Sequence, residues 1–174
     1  MPRSIWLQVK SEALPILDTP SPIMPQLQAL LGLWRARNKP ERLPMRSDFA
    51  DEDMRPFFGN VFIVDVLQQA PYFRFRLFGV SLVNAANREW TGKTMEEIDI
   101  SPYEPDVFDS YHRVRDSAQP MAQIRSFEPP PGAFTDEWRR YERLLLPLGN
   151  GGTKVEQILG CSYPLAEKST SEQP

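Results

Sequence analysis

Tyr72-Phe-Arg-Phe-Arg-Leu-Phe78 alternates apolar and charged residues from Phe73 to Leu77. Successive side chains of a strand point to opposite faces, so this spacing is that of a half-buried strand. It predicts Phe73, Phe75 and Leu77 on the inner face and Arg74 and Arg76 on the outer. Val61-Phe-Ile-Val-Asp-Val-Leu67 precedes it, rich in β-branched and aromatic residues. Gln68-Gln-Ala-Pro71 separates the two runs as a turn, and together they read as an antiparallel hairpin.

Downstream of the hairpin, residues 81–87 read as a helix with Leu82, Val83 and Ala86 as its apolar stripe. A stronger helix is expected over 104–118, with Val107, Phe108, Tyr111, Val114 and Ala118 on one side. The rest is strand: 120–127, 137–148 and 153–163. Pro129-Pro-Pro-Gly132 forms a stiff loop, and Gly149-Asn-Gly-Gly152 a turn whose glycines supply positive φ. Upstream, Pro25 opens a helix at its first turn. Leu27, Leu30, Leu31 and Trp34 follow at helical spacing, and Asn38 and Pro40 end it. An extended linker follows over 43–49, and Asp51 is placed to cap a short helix over 52–57. Two strands, a helical insert and three strands predict an α+β domain, an antiparallel sheet with helices on one face.

The chain of 174 residues, 41% hydrophobic and 25% charged, has the balance of a single globular domain. A domain of this size buries roughly 68–70% of its unfolded surface and needs no disulfide or metal staple. Five of the 18 prolines fall within residues 1–25, which read as an extended proline-rich arm. The folded domain is expected over 26–165, with a small polar tail at 166–174. The net charge of −3 argues against a nucleic-acid partner. A single cysteine, Cys161, excludes a disulfide framework and a Cys-rich zinc site, and a single histidine, His112, excludes a His-pair metal site. No metal site is predicted. No apolar run reaches the roughly 18 residues that span a membrane. The start of the chain lacks a signal-peptide core, so a cytoplasmic protein is expected.

The order of elements is that of PAS domains. Leu43-Pro-Met-Arg-Ser-Asp-Phe49, Phe62-Ile-Val-Asp-Val66, Phe73-Arg-Phe-Arg-Leu-Phe-Gly79, Thr91-Gly-Lys93 and Tyr141-Glu-Arg-Leu-Leu-Leu-Pro-Leu148 resemble one PAS subgroup of short bacterial proteins, PAS_5, formerly DUF1457. The pieces span roughly 27–163. Two departures stand out: Ala50-Asp51 where the subgroup often has Asp-Pro, and Asn87-Arg-Glu-Trp-Thr-Gly-Lys93 where it often has Gly-Arg-Asp-Leu-Thr-Gly-Arg. Asn87 can still take the left-handed turn that glycine takes. The resemblance implies a five-stranded antiparallel sheet in the order 2-1-5-4-3 and a sensory or regulatory role. With no kinase, cyclase or DNA-binding segment in the chain, it implies a stand-alone, non-enzymatic module that signals through a separate partner protein.

Phe73, Phe75 and Leu77 on the strand, with Leu82, Ala86, Trp90, Phe108 and Tyr111 from the insert, line a candidate ligand pocket between sheet and helices. The plain alternative is that they fill the core. Where strand and long helix face each other only Tyr111 has a polar tip, so the expected ligand is small and mostly apolar. Leu27, Leu30, Leu31 and Trp34 make a candidate homodimer face, the alternative being that they pack on their own sheet. His112 lies on the helix that supplies the haem ligand in haem-binding PAS sensors, but it falls beside the apolar stripe and reads as a boundary residue. Cys161 sits on a strand, outside the helical motif of flavin-binding PAS domains, and reads as a small buried residue. No cofactor is expected. Glu142, Arg143 and Asp65 interrupt apolar strands; the simple reading is a solvent face or an Arg–carboxylate cross-strand pair. Two rivals stay open: a cone-shaped α+β enzyme with a buried acid–base pair, and an interaction scaffold with a filled core.

Overall fold

In a computed structural model, which describes residues 10–13, 22–98, 106–126 and 136–166 (backbone alone for 10–13, 106–108 and 136), one antiparallel sheet organises the chain. Its strands are β1 (Lys10–Ala13), β2 (Val61–Val66), β3 (Phe73–Phe78), β4 (Met121–Ser126), β5 (Arg140–Leu148) and β6 (Gln157–Pro164). They lie in the order β1-β4-β5-β6-β2-β3. The five strands expected from the sequence, β2 to β6, stand in the order 2-1-5-4-3, with the hairpin antiparallel to the last strand. The sixth comes from the arm: Lys10–Ala13 pairs with β4, from Lys10 opposite Ser126 to Ala13 opposite Gln123. This segment falls between Pro2 and Pro15, where every residue keeps the N–H that a ladder needs.

The helices are α1 (Pro25–Arg37), α2 (Asp51–Met54), α3 (Val80–Ala86) and α4 (Asp106–Ser117). Pro25 stands in the first turn of α1, and Asn87 ends α3 in the left-handed conformation at φ 52°. Local details depart from expectation at three places. Ala50, not Asp51, is the N-cap of α2, and Asp51 joins Glu52 and Asp53 as first-turn acids favoured by the helix dipole. A 3₁₀ turn, Asp136–Arg139, occupies the expected start of β5. In the turn after β5 only Gly151 has positive φ, and β6 starts at Gln157 rather than 153.

Both faces of β5 are covered. Glu142 meets the start of α1, where its carboxylate accepts the Ile23 and Met24 amides at 2.8 Å each. The next residue, Arg143, donates to Ser110 Oγ of α4 at 2.8 Å. Adjacent strand residues face opposite ways, so α1 and α4 lie on opposite sides of the sheet. Glu142 is 0% exposed and Arg143 4% exposed, so neither is on a solvent face and they are not a pair. Asp65 does match the cross-strand reading, with Arg76 Nε and Gln157 Nε2 at 2.8 Å and Arg74 at 3.8 Å.

The expected dimer face of α1 is corrected by the same packing. Leu27, Leu30, Leu31 and Trp34 are all buried within the chain, and Trp34 Nε1 donates to the Pro147 carbonyl at 2.8 Å. Burying each of the three leucines is worth roughly 1.5–3 kcal/mol. They hold α1 on its own sheet, the packing alternative to a dimer face.

Candidate functional site

Strand alternation breaks once, and the break reshapes the site. Ile63 pairs with Leu77, but the next residue, Val64, pairs with Phe75, leaving Arg76 as an extra residue in β3. A β-bulge of this kind shifts the phase of every side chain beyond it. Phe73 and Phe75 point toward α4 as expected. Leu77 does not: it shares its face with Ile63, on the α1 side, and Phe78 takes its place. This takes Leu77 off the α4 side, where the candidate pocket was expected.

On the α4 side the rings form a continuous row. Trp90 stacks on Phe78 at 4.7 Å and meets Phe75 at 5.6 Å. Phe75 meets Phe62 at 5.8 Å, and Tyr111 stands against Phe62 at 6.5 Å and Phe73 at 5.7 Å. Phe62 finds room because Gly160 lies opposite it in β6; a Cβ there would overlap its ring. Leu82 and Ala86 are buried nearby in sequence on α3. Phe108 lies in the first turn of α4 by its backbone, and its side chain lies outside the described residues. His112 packs edge-on against Phe73 at 5.0 Å and Tyr72 at 5.8 Å, a boundary position where burial pushes its pKa down. The aromatic residues expected to line a pocket thus pack largely on one another.

Beside this row lies a polar patch that the sequence reading did not assemble. Tyr111 is buried at its edge, with Arg143 over its ring at 5.3 Å. Arg143 Nη2 donates to Ser110 Oγ of α4 and to Gln123 Oε1 of β4, so one guanidinium joins two strands and the helix. Its Nε is buried with no hydrogen-bond partner. Arg125, fully buried two residues along β4 from Gln123, faces the same way, and both guanidinium charges reach the Tyr111 phenol. Burial nonetheless dominates and pushes the Tyr111 pKa up, so the phenol stays protonated. The signal for this patch was present as Arg143 and Gln123 in apolar strands. What was missing was their register: Gln123 stands directly opposite Arg143.

The other face carries a cavity of about 370 Å³ between the sheet and the segment following α1. Phe49, Met54, Ile63, Leu77, Leu148 and Leu159 are among its lining residues, and Phe58 and Val80 stand at it 57% and 65% exposed. Cys161 is buried on this α1 side, opposite Val61 and Leu144, and burial pushes its thiol up to about 12. Among the described residues no three metal-ligating side chains gather, and no helix is long and apolar enough to cross a membrane.

No curated protein and no solved structure matches the chain. A family model described as a PAS domain, PAS_5, matches residues 23–163, from the start of α1 through most of β6. That span holds the 2-1-5-4-3 sheet, the helical insert and the polar patch beneath α4, and by it the chain belongs to the PAS_5 family of PAS domains.

Proposed function

We propose that this PAS domain is a regulatory module that binds a small molecule between α4 and the sheet and passes the signal to a partner protein. Membership of the family supports a sensory role. The observation that carries the finer reading is Arg143, a buried charge in the central sheet that ties β5, β4 and α4 together through neutral partners. Burying a guanidinium costs several kcal/mol unless its donors are well satisfied, and one donor is left over. A ligand that engages it competes with Ser110 for the same group and so favours one position of α4 over another. That differential contact is what a ligand needs to act as a signal.

The groups gathered here are a guanidinium, an amide, a hydroxyl and a protonated phenol, which support binding and orientation rather than proton transfer. The test is native mass spectrometry and an absorption spectrum of freshly purified protein, followed by thermal melts against a small-molecule library. A co-purified molecule, or a compound that raises the melting temperature and perturbs Tyr111, supports the reading. A bare chain that no compound stabilises favours the filled-core scaffold instead.

A further inference from the structure

We infer that the molecule bound at this site presents a carboxylate to Arg143; the inference rests on the ligand-binding reading above. Three observations converge on it. First, the hydrogen bonds of Arg143 go to a serine hydroxyl and a glutamine oxygen, and its Nε donor is buried and unused. Among the described residues no carboxylate pairs with it, although a planar guanidinium fork matches a carboxylate better than any neutral acceptor. Second, the one acidic residue of the same strand is turned away. Glu142 faces α1, where two backbone amides hold it. Third, a second guanidinium, Arg125, is buried on the same face, and the two charges act together on the Tyr111 phenol. An anion held by Arg143 in this patch lies within the field of that second positive charge as well.

The neighbourhood also indicates the rest of the ligand. Tyr111 and Phe73 stand ring to ring at 5.7 Å beside Arg143, an apolar wall next to a cationic floor. A short aliphatic or aromatic monocarboxylic acid fits that pairing. The apolar ligand expected from the aromatic residues alone is revised to one with an acidic end.

The experiment compares matched pairs on the full chain: benzoate, phenylacetate and hexanoate, each against its neutral primary amide. Binding is read by thermal melts and calorimetry. At least one acid should bind, and its amide should bind about 10- to 100-fold more weakly, the range set by a charge-assisted hydrogen bond. Arg143→Gln should cost the acid a similar factor and so close most of the gap between acid and amide. Ser110→Ala removes a competitor for Nη2 and should keep or improve acid binding. The acid–amide comparison needs no variant, so a misfolded Arg143→Gln protein does not blunt it. Acid and amide binding alike in the wild type, or an acid held with undiminished affinity by Arg143→Gln, overturns the carboxylate and leaves the ligand reading standing. No binding by any pair, with nothing co-purified, overturns both.

Discussion

Replacing Glu142 with glutamine should loosen α1 from the sheet without disturbing the α4 side. The carboxylate is 0% exposed and accepts two backbone amides, Ile23 and Met24, at 2.8 Å each. These amides sit at the entry to α1, where helix N–H groups lack partners within the helix. Glutamine is nearly isosteric, but one of its two terminal atoms is a donor. It can accept one amide and must face the other donor to donor. The lost charge-assisted bond is worth about 1.5–3 kcal/mol, and the retained one falls to the neutral range of about 0.5–1.5 kcal/mol. Removing a buried charge returns part of this. The expected net loss is about 2 kcal/mol, which for a chain this long lowers the melting temperature by roughly 4–8 °C. Urea melts give the free energy, and hydrogen exchange gives the location: the Ile23 and Met24 amides should lose protection first. A Glu142→Gln protein melting within about 1 °C of wild type refutes the anchor. So does exchange at Ile23 and Met24 that is already unprotected in the wild type.

Gly160→Ala should destabilise by about 1–3 kcal/mol or more, because the new methyl overlaps the Phe62 ring, whereas Gly152→Ala, with open space at its Cβ, should be close to neutral; paired denaturant melts check both. Burial raises the Asp65 carboxyl, but hydrogen bonds from Arg76 and Gln157 and the charges of Arg76 and Arg74 outweigh it and hold its pKa below 3.8. The folded value is depressed, so its stabilisation is present above the unfolded pKa of 3.8 and lost as pH falls through the folded value; Asp65→Asn should flatten the acid limb of a stability–pH curve. Cys161, whose thiol burial pushes up to about 12, should ignore a thiol reagent in the native protein and react fully in urea; rapid native labelling would show that its face of the sheet opens.

The alternation of residues 72–78 and the hairpin with 61–67 were legible because a strand's period of two is a local property. So was the order of elements that marks the PAS fold, and so were the buried faces of α1 and of α4 at Tyr111 and Val114, set by helical spacing. Periodicity states which residues share a face, but not what covers that face. Leu27, Leu30, Leu31 and Trp34 were readable as a stripe, yet only the packed chain shows that the stripe lies on β5. Glu142 and Arg143 look like a solvent-facing pair on a one-sided sheet. Helices on both sides separate them, one to cap the entry of α1 and the other to join β4, β5 and α4. The bulge in β3 carries the same lesson. Nothing in Phe-Arg-Phe-Arg-Leu-Phe marks Arg76 as the surplus residue. Its identity depends on the register against β2, a contact between segments. That one-residue slip moved Leu77 out of the candidate site and Phe78 in, because alternation propagates a phase and only pairing sets it.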